Sequence, residues 1–338
     1  MDRKSRTFII AEAGVNHNGN LKLAKKLIDI SKKAGADAVK FQTFKAKNVI
    51  SEFANKLNYQ KNNSRDKQSQ LEMLKSLELT NQNFVELYRY CKKKNIMFMS
   101  TPKDIESAKF LKKIGTKIFK IGSGEAINYE LIKEIYSYKK KVIISTGMCN
   151  LKEVSKIYNI FKKNKKQLAL LHCTSLYPCP TEDCNLLSIK YLKKKFPVKI
   201  GFSDHTIGID ASVAAVSLGA QIIEKHITTN NQLSGPDHKT SLNYSDFKRM
   251  VIKIRHLEAM LGYEKKEPSK EEKKHIKLIR RGLVYKKNFD KGKILTKKDI
   301  MIKRPLLGLM PDQINKVIGK RISRSVKKDE PIKLKNFS

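Results

Sequence analysis

An eightfold recurrence constrains this chain more than any other feature. A short β-branched run gives way to a polar or glycine-bearing turn, and then to an amphipathic helix. The strand-like runs fall at 8–11, 38–41, 96–99, 117–121, 142–144, 168–171, 199–202 and 221–224. Helical periodicity follows at 21–34, 81–94, 104–114, 129–138, 151–163, 186–196, 209–218 and 244–261. Eight such units in about 260 residues is the size of a (β/α)8 TIM barrel. A doubly wound open sheet needs no eighth unit and usually carries a GxGxxG turn after its first strand. Here that turn reads Glu12-Ala13-Gly14-Val15-Asn16-His17-Asn18-Gly19. The second unit carries a long insert, 43–80, polar over 58–69 and helical over 70–77. Long βα loops on a barrel usually belong to the site.

The pattern ends at residue 262. Residues 263–280 are charged and apolar-poor, which predicts a linker with some helix. From 281 to 338 the apolar runs are short and separated by turns, the pattern of a small β-rich domain. It is too short to be comfortable alone. The expected division is therefore 1–262, 263–280 and 281–338.

The formal net charge of +39 raises nucleic acid as a partner. The lysine runs argue otherwise. Each precedes a strand-like run, at the predicted carboxyl end of a helix, where cations complement the helix dipole. They read as dispersed, and no base-reading motif accompanies them, so no specific nucleic-acid partner is expected. No apolar run approaches membrane-spanning length, so no membrane span is expected. Five cysteines without paired spacing predict free thiols and a cytoplasmic location.

In a barrel, chemistry sits at the carboxyl ends of the strands. Lys40 and Lys120 each fall inside an apolar run, and a buried ammonium without a partner is costly. With the hydroxyls of Thr101, Ser123, Ser145 and Ser203 they form a cradle suited to phosphate and carboxylate. His205 and His226 end two parallel strands of one βαβ unit, about 4.8 Å apart, so their imidazoles can share a metal ion. Glu125 ends the fourth strand across the mouth and reads as a general acid or base. Glu12 and Gln42 close the first and second strands, and Ser175 and Tyr177 follow the sixth. Cys173 reads as packing.

In order along the chain, AEAGVNHNG, KFQTFKAKNVIS, KIGSGE, STGM, HCTSLYP, GFSDHTIG, EKHIT and SGPDH resemble the sialic acid (N-acetylneuraminate) synthases and their legionaminate-forming relatives. The carboxyl-terminal IKRP, VIGK and KKDEPI resemble that family's antifreeze-like (SAF) domain. The resemblance implies condensation of phosphoenolpyruvate with an N-acylated mannosamine-type sugar. N-acetylmannosamine is the acceptor expected first, giving N-acetylneuraminate. The alternative is 2,4-diacetamido-2,4,6-trideoxymannose, giving N,N'-diacetyllegionaminate.

It further implies a divalent metal on His205 and His226, most often Mn2+, with Mg2+ or Co2+ as substitutes. Phosphoenolpyruvate would lie on Lys40, Thr101, Lys120, Ser123, Ser145, Ser175 and Ser203. Glu125 would handle the proton of the attacking water, and Glu12 matches a family acid near the site. Gln42, Tyr177 and Asp237 would bind the sugar. Arg304 would reach its N-acyl group from the neighbouring chain of a domain-swapped homodimer. Three positions depart from the family pattern. Lys103 follows Pro102 where many relatives carry phenylalanine, and Ser175 stands where some carry asparagine. Leu306-Leu307-Gly308 replaces a glycine-rich turn. Two readings of another class stay open on sequence alone: a basic nucleic-acid-binding protein on an inactive barrel, and a non-catalytic binder of a sugar phosphate.

Overall fold

The computed structural model describes residues 6–56 and 69–338. The polar part of the insert, residues 58–68, lies outside the described residues. Eight parallel strands close into a barrel in sequence order: β1 (Phe8–Gly14), β2 (Ala38–Thr43), β3 (Met97–Pro102), β4 (Ile118–Ile121), β5 (Lys141–Ser145), β6 (Leu168–Cys173), β7 (Lys199–Asp204) and β8 (Ile222–His226). β1 closes the ring by pairing with both β2 and β8. This is the (β/α)8 architecture that the recurrence predicts.

The connecting helices start where the chain offers a side-chain acceptor. Asn20 caps Leu21–Lys33 through the Leu23 amide, and Asp104 caps Ile105–Lys113 through the Ser107 amide. Thr80 and Asn83 form a reciprocal capping box at the head of Asn81–Lys93. Each of these helices buries a stripe at three- and four-residue spacing, such as Ala24, Leu27 and Ile28. Their last turns carry lysines, among them Lys32, Lys33, Lys92, Lys93, Lys112 and Lys113. One apolar layer fills the space between strands and helices. A second lies inside the barrel, built from Ile10, Ala38, Met99, Ile143, Ala169, Leu171 and Ile222. Burying each such leucine or isoleucine side chain is worth about 1.5–3 kcal/mol.

The strands run on past the apolar runs that announced them. β1 reaches Gly14, β2 reaches Thr43, β6 reaches Cys173 and β8 reaches His226. Ladder hydrogen bonds use backbone alone, so polar residues can extend a strand when their side chains face the open mouth. Glu12, Lys40, Gln42, Thr101, Lys120, Ser145, Ser203 and His226 consequently stand on the strands themselves, whereas Ser123, Glu125, Ser175, Tyr177, His205 and Asp237 stand on the segments after them.

Residues 263–338 form a second compact unit. The charged stretch expected as a linker contains the helix Lys270–Ile279, begun by a Ser269–Glu272 capping box. An antiparallel pair, β9 (Gly282–Tyr285) and β10 (Ile300–Lys303), packs on a core that includes Leu283, Tyr285, Leu295, Val317 and Ile332. Arg321 and Ile322 make isolated antiparallel bridges, to Ile294 and Phe337 respectively. Among the described residues no helix is long and apolar enough to cross a membrane. All five cysteines are free thiols.

Candidate active site

A cavity of about 300 Å³ opens at the carboxyl ends of the strands. Glu12, Lys40, Gln42, Thr101, Lys120, Ser123, Glu125, Ser145, Ser175, Tyr177, Ser203, His205 and His226 all line it. Topology alone gathers them, since they come from all eight βα units. Asp237 lies just beyond, with Oδ2 3.8 Å from Nδ1 of His226. Arg304 belongs to the second unit.

The floor is a buried charge network. Nζ of Lys40 lies 2.9 Å from Oε2 of Glu12 and donates to Oγ1 of Thr101 at 3.1 Å. Nζ of Lys120 donates to Oγ of Ser145 at 2.7 Å. Between the two lysines sits Glu224, 3.6 Å from Lys40 and 3.5 Å from Lys120, accepting also from Ser203 at 3.1 Å. Neither lysine snorkels to solvent; both are almost fully buried.

Sequence reasoning missed Glu224. The signal was present: strand alternation puts Ile222, Glu224 and His226 on one face, and His226 was already assigned to the mouth. An acid two residues before a mouth histidine, in a barrel with two inward lysines, is their counter-ion.

The network sets the charge of each group. Burial pushes the Glu224 carboxyl up, but the ammoniums of Lys120 and Lys40 overcome this and hold it at about 2. Glu12 goes the other way: burial, aided by Glu224, lifts it to about 7 against the pull of Lys40. Burial also opposes the Lys40 charge, yet Glu12 and Glu224 keep its pKa raised. Burial lowers Lys120, with Glu224 offsetting only part. The floor is thus a pair of cations sharing one firmly ionised carboxylate and one that titrates near neutrality.

The two histidine rings meet edge-on at a centroid separation of 5.6 Å, with the Tyr177 ring tilted over His205 at 4.1 Å. Nδ1 of His205 lies 2.8 Å from the Thr174 carbonyl. Donation to that carbonyl leaves Nε2 with the lone pair. Burial, reinforced by His205, lowers the His226 pKa well below its ordinary value, so this ring is neutral. Its Nδ1 is buried without a hydrogen-bond partner. A neutral, orphaned imidazole beside a second oriented one fits a metal ligand pair. Burial lifts Asp237 to about 6 against the pull of His205 and Lys103. Among the described residues no group of three or more His, Cys, Asp or Glu is arranged to hold a metal. A metal here would rest on two imidazoles and complete its sphere with substrate and water.

Glu125 closes the single-turn 3-10 helix Ser123–Glu125 after β4. Its carboxylate reaches back over Gly122, where a Cβ would stand 2.8 Å from Oε2, so that glycine makes room for the acid. Lys103 pairs with Glu125 at 3.6 Å on the rim of the cavity. The loop after β7 is anchored from the outer face. Asp204 accepts from the Thr206 amide, the Thr206 hydroxyl and Ser212, and pairs with buried Lys225 at 3.0 Å.

A parallel eight-stranded barrel with a charged, hydroxyl-lined mouth beside a histidine pair is an enzyme architecture. The NeuB family model matches residues 27–266 and the SAF domain model residues 280–338. The chain is 46% identical to the N,N'-diacetyllegionaminic acid synthase of Campylobacter jejuni, over 97% of this chain and 99% of that protein. It is 42% identical to the enzyme of the same name from Legionella pneumophila, over 94% and 91%. A crystal structure of the N-acetylneuraminic acid (sialic acid) synthetase of Leptospira borgpetersenii superposes with a TM-score of 0.74 at 36% identity, covering 81% of this chain and 91% of that one. The chain belongs to the NeuB family of carbon–carbon bond-forming nonulosonate synthases and carries a SAF domain at its carboxyl end.

Proposed function

We propose that this enzyme condenses phosphoenolpyruvate with 2,4-diacetamido-2,4,6-trideoxymannose in the cytoplasm, giving N,N'-diacetyllegionaminate and phosphate. The observation that carries the choice of sugar is the 46% identity, along almost the whole chain, to a protein that makes this acid. The motifs alone put N-acetylmannosamine first. That second reading keeps the support of the sialic acid synthetase from Leptospira.

The cradle suits a trianion. Lys40 and Lys120, with Thr101, Ser123, Ser145, Ser175 and Ser203, bind the phosphate and carboxylate and hold the enol carbon toward the histidines. Ser175 supports this assignment, because its buried hydroxyl has no hydrogen-bond partner. Near neutrality Glu12 is partly protonated, which reduces the competition for Lys40 when the anion arrives. Gln42, Tyr177 and Asp237 orient the sugar, and Arg304 of a second copy reaches its N-acyl group in a homodimer.

His205 and His226 would hold a divalent cation, most often Mn2+, whose chemistry is to polarise the sugar's aldehyde oxygen. The enol carbon attacks the aldehyde carbon, and water adds at the cationic carbon left behind. Glu125 takes one proton of that water, and the new alkoxide on the sugar gains one to become a hydroxyl. Collapse of the tetrahedral centre to a ketone breaks the C–O bond and expels phosphate with the remaining proton.

The deciding experiment compares phosphate release with the two sugars side by side. They differ in a C6 hydroxyl and a C4 acetamido group, and a site that hydrogen-bonds a group rejects the analogue lacking it by about 10⁴-fold or more. A higher kcat/KM for the diacetamido sugar is expected. A preference for N-acetylmannosamine would overturn the proposed acceptor.

A further inference from the structure

The amino-terminal end of the barrel holds a second cavity, of about 500 Å³, larger than the one at the mouth. Its floor is the lower edge of the barrel's inner apolar layer: Phe8, Met97, Ile118, Ile143, Ala169 and Ile222. Its rim is basic. Lys141 opens β5, Lys166 stands just before β6 and Lys199 opens β7, so three adjacent staves present exposed ammoniums on one arc. Arg6 is a fourth cation on the rim, paired with Asp37 at 3.5 Å. Among the described residues no aspartate or glutamate lines this cavity, and the three lysines have no ion-pair partner.

The sequence suggested that the lysine runs are dispersed, and the topology gathers them. In a βα barrel every helix ends where the next strand begins, so the lysine-rich last turns share the face that holds this pit. Such a field draws anions, while the apolar floor rewards whatever removes it from water. A bare inorganic ion leaves the floor wet, and an uncharged apolar molecule leaves the lysines unused. Only a ligand with one anionic end and an apolar body satisfies both.

We propose that this pit is a second binding site, separate from the catalytic mouth, for a small amphipathic anion: a carboxylate or phosphate head on an apolar body. The head sits among Lys141, Lys166 and Lys199, and the body lies on Ile118, Ile143 and Ala169. The inference does not depend on which sugar the mouth accepts.

The test is calorimetric titration of the whole protein with straight-chain carboxylates from butanoate to decanoate. Affinity is expected to rise about fourfold per added methylene until the floor is covered, and then to level off. The double variant Lys141→Glu, Lys199→Glu, made at exposed positions away from the mouth, should bind octanoate at least tenfold more weakly. Ala169→Met, which fills the pit, should flatten the dependence on chain length. Repeating the series with octyl phosphate separates the head groups, because a dianion should lose more than octanoate on the double charge reversal. Equal affinity for butanoate and octanoate would mean general ion binding to a cationic protein, and would overturn the site. So would octanoate binding that survives the charge reversals, since the ligand would then lie elsewhere.

Discussion

Glu224 on β8 and Lys120 on β4 meet at 3.5 Å across the full width of the barrel. These are opposite staves of the eight. The contact therefore ties the two halves of the cylinder together at the level where the anion cradle begins, with Lys40 as the third member.

Removing that carboxylate should be felt in stability first. Glu224→Ala leaves two buried ammoniums short of a counter-charge, and breaking a buried pair in this way costs about 3–5 kcal/mol. A urea unfolding series should show a midpoint lowered accordingly. Saturating phosphoenolpyruvate should restore more stability to the variant than to the parent, because the bound anion supplies the missing charge. No difference between the two would mean that the cradle is not where the anion binds.

The histidine pair gives a test of the metal. His226→Ala and His205→Ala should each lose turnover by at least about 100-fold, and neither loss should be recovered by excess Mn2+. The same variants should no longer bind Mn2+ in equilibrium dialysis. Full activity in either variant, or undiminished Mn2+ binding, would remove the pair from the mechanism.

Acid should weaken the barrel through histidines that do no chemistry. Burial holds His238 and His17 at about 4, and each His238 ring nitrogen lies near a polar partner, Thr228 at 2.7 Å and Asn18 at 3.2 Å. The folded pKa lies below the unfolded value, so the unfolded chain binds the extra proton. The contribution of these groups is complete above pH ~6.5 and is lost as pH falls towards ~4. His238→Asn should flatten the fall in Tm between pH 6.5 and 4.5 by a few degrees, on the order of 1–2 kcal/mol. Parallel curves for variant and parent would contradict a buried neutral His238.

The homodimer proposal can be checked by mixing. Glu125→Ala damages the mouth and Arg304→Ala the cap of the neighbouring chain. Each alone should be nearly inactive with the sugar. Co-refolded in equal amounts, they should recover about a quarter of parental activity, because half the dimers then hold one undamaged site of two. No recovery would place Arg304 over the barrel of its own chain or outside the reaction.

The barrel was legible because its eight units repeat a pattern that backbone physics allows few other ways to satisfy. The strand ends were less so. Apolar runs stop where the mouth begins, so the strand-like runs end at 41, 171 and 224 although the ladder continues to Thr43, Cys173 and His226. Lys40 and Lys120 stood out because a lysine inside an apolar run demands a partner. Glu224 did not, because Lys225 beside it made the pair look like the solvated end of a strand. Lys225 instead points to the outer face and pairs with Asp204. Burial of opposite charges on successive residues, one inward and one outward, cannot be read from composition at a strand end.

The overrun of the strands has a consequence for how such an enzyme can change. Glu12, Lys40, Thr101, Ser145, Ser203 and His226 are fixed in the ladder itself, whereas Lys103, Ser175, Tyr177 and Asp237 stand on the loops beyond it. A substitution in the first set disturbs barrel closure as well as the proposed anion site, whereas one in the second leaves the ladder intact and, Ser175 apart, does not reach that site. Acceptor preference can therefore drift by loop changes alone, with the phosphoenolpyruvate half of the reaction inherited intact.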